Sequence, residues 1–226
     1  MLASQKSIWF ENIFAIYNRN LIKRRFNSVQ ICGLNEITKR NQHQPLIIYV
    51  NHSSWWDGLV AFEISHKAKL ASFIMMEEKQ LKKLFLFRRL GAFSVVRENA
   101  RKAMESLDYA AGVLRQNCRN VLWVFPQGEI LPNDKRPLQF YNGLSKIVKK
   151  SGKNVQFLPI AIRYEFLGDF KPEIFIKIGK LESTIPDENF DTKKFTRYLA
   201  QNLTEILDDL RKEIVSRDFS EFERLI

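Results

Sequence analysis

Leu46-Ile47-Ile48-Tyr49-Val50 runs directly into Asn51-His52-Ser53-Ser54-Trp55-Trp56-Asp57-Gly58. A short, continuous apolar run is what a strand covered on both faces looks like, and such strands belong to parallel sheets. The polar stretch after it reads as a turn leading into a helix. Outward from this point the same alternation recurs. Further β-rich runs lie at Val29 to Cys32, Ser72 to Met75, Phe93 to Val96, Val121 to Phe125, Phe157 to Arg163 and Ile174 to Ile178. Helical periodicity covers Asp57 to Lys67, Glu78 to Leu90, Glu98 to Cys118, Asn142 to Lys150 and Asp191 to Arg217. The pattern predicts an α/β fold, a single domain with a mostly parallel central sheet flanked by helices. Between two of these elements, Gln127 to Gly143 carries Pro132, Asn133, Asp134 and Pro137 and predicts a long loop, a feature that in compact domains is often functional.

Ahead of the first strand, Lys6 to about Phe26 places Ile8, Trp9, Ile13, Ile16, Tyr17 and Phe26 at helical spacing and ends in Arg19, Lys23, Arg24 and Arg25. Residues 1–28 are therefore read as an amphipathic helix for a membrane surface, and residues 29–226 as the main domain. Packing of the same helix on its own domain is the plainer alternative, and the two are compatible. The formal charge of +11 attracts an anionic partner, whether nucleic acid, an anionic bilayer or an acidic carrier protein. The chain shows no RNP-type aromatics, zinc-finger spacing or helix-turn-helix pattern, so nucleic acid is not expected. No apolar run reaches the ~20 residues needed to span a bilayer, and no signal-peptide pattern is present. Peripheral attachment to the cytoplasmic face of a membrane is the resulting expectation. Cys32 and Cys118 lack CxxC spacing, which predicts reduced thiols rather than a disulfide or a metal site.

His52 and Asp57 are the candidate chemical pair. Five residues apart, they would lie ~140° apart on a helix, so they meet only across a turn. With Ser53 and Ser54 capping the next helix, His52 falls in the loop and Asp57 in the first helical turn. A carboxylate on one ring nitrogen leaves the other as a proton acceptor, the state a general base needs. Ser54 to Asp57 also has capping-box spacing, in which Asp57 merely accepts a backbone amide. His43 and His66 sit in polar surroundings and read as surface residues. The spacing of His52, Asp57 and His66 does not fit a zinc site, and neither a metal nor a cofactor is expected. No GxSxG elbow is present, which speaks against the usual serine hydrolase.

Further blocks follow in order: Gly91-Ala92-Phe93-Ser94-Val95-Val96-Arg97, then Val124-Phe125-Pro126-Gln127-Gly128-Glu129, then Leu158-Pro159-Ile160-Ala161. Together with Asn51-His52 through Asp57 they resemble the N-H-x4-D, G-x-I-F-x-x-R, F-P-E-G-T-R and V-P-V-A blocks of the lysophosphatidic acid and related glycerolipid acyltransferases. The resemblance covers about residues 46 to 165. It implies O-acyl transfer from an acyl thioester, on coenzyme A or an acyl-carrier protein, to the hydroxyl of a lyso-lipid, with His52 as general base and Asp57 as its orienting carboxylate. By the same resemblance Arg97 binds the acceptor's phosphate. Phe125, Pro126, Gln127, Gly128 and Glu129 contribute to substrate binding, Gly128 by bringing backbone N–H groups close to substrate. The third block departs from the family: Gln127, Glu129 and Ile130 stand where Glu, Thr and Arg are usual. That departure bears on the acceptor, and Lys135 and Arg136 are candidates to restore the missing cation. Another lipid alcohol, a different lysophospholipid, or a lipid-binding relative without catalysis are the alternative readings.

Overall fold

A computed structural model describes residues 1–96, 98–187 and 190–226. In chain order the elements are α1 (Ile8–Arg25), β1 (Val29–Cys32), α2 (Asn35–Thr38), β2 (Leu46–Val50) and α3 (Asp57–Lys67). Next come β3 (Ala71–Glu77), α4 (Glu78–Lys83), a 3-10 turn (Phe85–Leu90), β4 (Ala92–Val95), α5 (Ala100–Gln116) and β5 (Asn120–Val124). The chain continues through α6 (Gly143–Ser151), β6 (Val155–Glu165), β7 (Glu173–Ile178), β8 (Glu182–Thr184), α7 (Thr192–Ser216) and β9 (Glu223–Arg224).

The strands form one sheet in the order β4-β3-β5-β2-β6-β7-β1-β9, with β8 also on β6. From β4 to β6 all pairings are parallel, as are those of β1 with β7, while β7, β8 and β9 join antiparallel. The sheet is thus mostly parallel, as the apolar runs predict. Strand β2 sits between β5 and β6, its Leu46 facing Val121 on one side and Gln156 on the other. Its residues are buried on both faces because strand side chains alternate. Ile47 and Tyr49 join a core with Leu122, Val124, Leu144, Ile147, Leu203 and Leu207 under α5, α6 and α7. Leu46, Ile48 and Val50 join a second core with Trp123, Ile22, Val60 and Ile64 under α1 and α3.

Pro159 lies inside the long strand β6. There β6 passes from β8, paired at Val155 to Phe157, to β7, paired from Ile160 onward. The missing N–H therefore falls at a gap in that edge's ladder, where proline is tolerated. The expected helix over Glu78 to Leu90 is broken at Leu84, which leaves helical backbone. The break brings the Phe87 ring 5.8 Å from Phe14 of α1. Helix α5 begins at Ala100 because the Asn99 side chain accepts from the Lys102 amide at 3.0 Å. Three short elements, α2, β8 and β9, were not expected; each is too short to show a period.

Helix α1 rests on α3 through Phe14 against Phe62, ring centroids 5.0 Å apart, and through Asn18, whose amide reaches the Leu59 carbonyl and Glu63. Its apolar residues divide between two faces. Ala15 and Ile22 are buried, whereas Ile8, Trp9, Ile13, Ile16 and Tyr17 point outward, Trp9 being 69% exposed. Preceding α1, Leu2 exchanges bonds with Ser94, the Ser94 amide donating to the Leu2 carbonyl at 2.9 Å. This covers the open edge of β4, an arrangement that blunts edge-to-edge pairing.

Gly91, at the start of β4, has φ +96°, and a Cβ there would stand 2.4 Å from the Ser72 carbonyl oxygen. Both the backbone conformation and the close approach demand glycine. Gly91→Ala is expected to destabilise the fold by on the order of 2 kcal/mol or more, measured by urea denaturation. An unchanged midpoint would show that β3 and β4 can separate without cost.

Candidate active site

In a sheet of parallel strands the chain leaves successive strands at one end, and functional groups gather there. Here β2 and β5 end side by side, at Val50 and Val124, while β6 runs on past them to Glu165. Asn51, the residue after β2, extends the ladder with its side chain: its carboxamide accepts from the Ile162 amide at 2.8 Å and donates to the Ile162 carbonyl at 2.9 Å. The same Nδ2 donates to the Asn133 side chain at 3.0 Å. Asn51 thus ties β2, β6 and the loop after β5 at one point.

His52 follows. Its Nδ1 lies 2.8 Å from Asp57 Oδ2. The same oxygen accepts from the amides of Ser53 at 2.8 Å and Ser54 at 2.9 Å. Asp57 Oδ1 accepts from the Tyr164 hydroxyl at 2.6 Å. Asp57 therefore caps the turn and holds the imidazole at once, so the two sequence readings describe one carboxylate. It is completely buried, and burying a charge this way requires donors on its oxygens. With Nδ1 engaged, Nε2 is left for the cavity that His52 lines.

The third block closes around the histidine. Phe125 packs against the His52 ring, centroids 4.7 Å apart and planes tilted by 32°. The buried Gln127 accepts the His52 amide through Oε1 at 2.7 Å, and the His52 carbonyl accepts from the Leu131 amide at 2.9 Å. Gln127 is thereby a clamp on the histidine backbone, a duty a neutral carboxamide performs without adding a second anion. The Pro126 carbonyl accepts from the Tyr141 amide. Gly128 has φ +71°, its N–H closes a turn on the Phe125 carbonyl at 3.0 Å, and it lines the cavity beside His52. Glu129 and Ile130 are exposed and line the cavity.

The cavity measures about 1300 Å³ and runs from His52 and Phe125 past Phe62, Phe73, Met75 and Val95. Lys79, Lys82, Lys102 and Lys146 line it too. Arg136 is engaged elsewhere: its guanidinium binds Asp208 on α7 and the carbonyls of Asn133 and Lys135. Lys135 lines a separate hollow of about 180 Å³ with Gln127 and Tyr141. The loop is fastened further by buried Arg163, which donates to Asp134 at 3.0 Å and to Glu165. That hydrogen bond from Arg163 holds the Asp134 carboxyl below the usual carboxylate range. Arg97 lies outside the described residues. His43 is exposed, and His66, exposed on α3, stacks on Phe62, both of them lining the cavity.

A family model described as an acyltransferase matches residues 29–163, which takes in β1 to β5, most of β6, the His52–Asp57 turn and the clamp around it. The chain belongs to the glycerolipid acyltransferase family. Among curated proteins, none matches it. The candidate site thus draws on the ends of three strands, and the part of it invisible to sequence spacing is Tyr164, which stands 107 positions from the carboxylate it contacts. Asn51 and Gln127 were visible as motif positions, but their backbone-holding duties were not.

Gln127→Leu removes the acceptor from the His52 amide in a buried setting. The expected loss is about 1–3 kcal/mol in denaturant unfolding, the range for a buried donor left unsatisfied. An unaltered stability would mean that the amide finds another acceptor.

Proposed function

We propose that this acyltransferase moves a fatty acyl group from an acyl thioester, acyl-CoA or acyl-carrier protein, to the hydroxyl of a lysophosphatidic-acid-like lipid. The observation that carries the reading is the His52 Nδ1 to Asp57 Oδ2 contact of 2.8 Å at the edge of a largely apolar cavity of about 1300 Å³. Small-molecule sites usually span ~300–1,000 Å³, so this one has room for a long chain with an acceptor beside it.

In the proposed step His52 Nε2 takes the hydroxyl proton as the acceptor oxygen attacks the thioester carbonyl. Asp57 balances the imidazolium that forms. Collapse of the tetrahedral species breaks the carbon–sulfur bond, and the thiolate leaves with the proton returned from the ring. Ester and thiol are the products, with no acyl-enzyme. The family pattern assigns the acceptor phosphate to Arg97, a guanidinium that can grip two phosphate oxygens. Lys102 and Lys146, which line the cavity, add positive charge for phosphate on acceptor or donor.

One observation favours a less charged acceptor. Ile130 occupies the position of the family's third-block arginine, and Arg136 is held by Asp208 instead of replacing it. Glu129, on the cavity lining, is suited to accept from a hydroxyl. Acylation of an uncharged lipid alcohol or a diester lysophospholipid is the second reading.

The lipid is expected to be reached at a bilayer surface, with the protein attached peripherally to the cytoplasmic face through α1. Exposed Ile8, Trp9, Ile13, Ile16 and Tyr17 beside Arg19, Lys23 and Arg24 support this, apolar rings and cations being the composition of an interfacial helix. Among the described residues no helix is long and apolar enough to cross a membrane.

Thiol release from acyl-CoA with a panel of lyso-lipids tests the reaction. His52→Ala is expected to cut transfer ~10² to 10⁴-fold with the fold intact; wild-type turnover would remove His52 from the mechanism. Arg97→Ala should reduce kcat/KM selectively for lysophosphatidic acid over an uncharged lipid alcohol, by about 1.5–3 kcal/mol in transition-state free energy. Equal losses would detach Arg97 from phosphate.

For the membrane, Trp9→Ser combined with Ile16→Ser is the suitable probe. Those side chains are exposed, whereas deleting the helix would also remove the buried Ile22 and uncover the core. Co-sedimentation with anionic vesicles should fall and become more salt-sensitive. Unchanged binding would reject α1 as the anchor.

A further inference from the structure

Asp57 has two oxygens with separate partners. Oδ2 takes the imidazole and the amides of Ser53 and Ser54. Oδ1 takes the Tyr164 hydroxyl at 2.6 Å, a short bond of the kind formed when the acceptor is charged. Tyr164 comes from β6, two strand ends' worth of chain away from the turn that carries the pair. Its ring is held by Phe26 at the end of α1, centroids 5.8 Å apart, and Phe26 in turn stands edge-on to Trp56 at 5.0 Å. The phenol has little freedom to leave.

We infer that Tyr164 is a positioning residue for the reaction, its hydroxyl fixing the free oxygen of Asp57 and setting how strongly that carboxylate holds the His52 imidazolium. This rests on the acyl-transfer reading for its consequence in turnover but not for its geometry. A donor on Oδ1 draws negative charge away from Oδ2. The carboxylate then supports the imidazolium enough to orient the ring without making it too reluctant to return its proton. It also forbids rotation of the carboxylate, which would exchange its oxygens and lose the Nδ1 contact.

Other groups around the pair leave this duty to Tyr164. From the end of β5, Phe125 and Gln127 are uncharged, and Glu129 is the ionisable residue of that turn lining the same cavity. Phe26, just after α1, and Trp56, just before α3, carry no charge. On β6, Arg163 and Glu165 flank Tyr164 but pair with Asp134 and with each other. Burial, then the Asp57 charge, push the Tyr164 hydroxyl well above its usual range, so it remains a neutral donor throughout the working pH.

The test titrates the His52 ring by NMR in the full-length protein. The chain has 3 histidines, and His52→Ala assigns the resonance. Tyr164→Phe keeps the ring and removes the donor, so the carboxylate should stabilise the imidazolium more. The His52 midpoint is expected to rise by on the order of half a pH unit or more. 3-Fluorotyrosine at position 164, a stronger donor, should lower it. In transfer from palmitoyl-CoA to lysophosphatidic acid, the acidic limb of kcat/KM should move upward with the midpoint in Tyr164→Phe. A midpoint unmoved in both variants, or moved in the same direction by both, overturns the inference, including where Tyr164→Phe merely lowers thermal stability. The two readings separate cleanly. Opposite midpoint shifts without any turnover in the wild type would sustain the role of Tyr164 and reject the acceptor chemistry.

Discussion

A carboxylate with no access to water has to be surrounded by donors, and much of this structure serves that requirement at Asp57. Two of its donors are local, the amides of Ser53 and Ser54, and they give the turn after β2 its shape. The third is the imidazole that performs the proposed chemistry. The fourth arrives from β6, and it reaches Asp57 because β6 runs parallel to β2 and continues past Val50, its partner Ile160 being four residues short of Tyr164. Asn51, bonded to both backbone groups of Ile162, fixes that register. The sheet register is therefore part of the site's geometry rather than a scaffold beneath it.

A second constraint acts on the histidine backbone. Both its amide and its carbonyl are taken up by the loop after β5, through Gln127 and Leu131. The loop is in turn tied to α7 through Arg136 and Asp208 and to β6 through Arg163 and Asp134. This explains how so long a connection holds one geometry around His52: its polar groups are bonded to the turn after β2, to β6 and to α7. It also accounts for Gln127 in the position where the family favours a carboxylate. The demand at that position here is for an acceptor, and an amide oxygen meets it with no added charge near Asp57.

The cavity is lined by Gly128, Glu129 and Ile130 of this loop and by strand β3. Strand β3 is only half-buried along its length, and the lining there is Phe73, Met75, Met76 and Leu90, flexible or broad apolar side chains. Lysines line it alongside those residues. An apolar interior next to cations suits a lipid with an anionic head, and the outward apolar face of α1 suits delivery of that lipid from a bilayer.

Much of the fold was legible in the chain itself. Continuous apolar runs such as Leu46 to Val50 and Val121 to Val124 announce buried parallel strands because each face needs apolar cover, and the helices between them show their period. Helix α3 begins and ends where its pattern does, and His52 with Asp57 could be paired by reasoning that they meet across a turn. Short elements such as β8 and β9 were beyond reach, since two or three residues carry no period. The partition of α1 into an inward and an outward apolar face was equally hidden, because periodicity records that residues are apolar and not what covers them. What only the tertiary structure decided are the contacts between distant segments: Tyr164 on Asp57, Gln127 on the His52 amide, Arg136 on Asp208. Local spacing determines what a segment can become by itself, whereas these bonds exist only after strands far apart in sequence are brought into register.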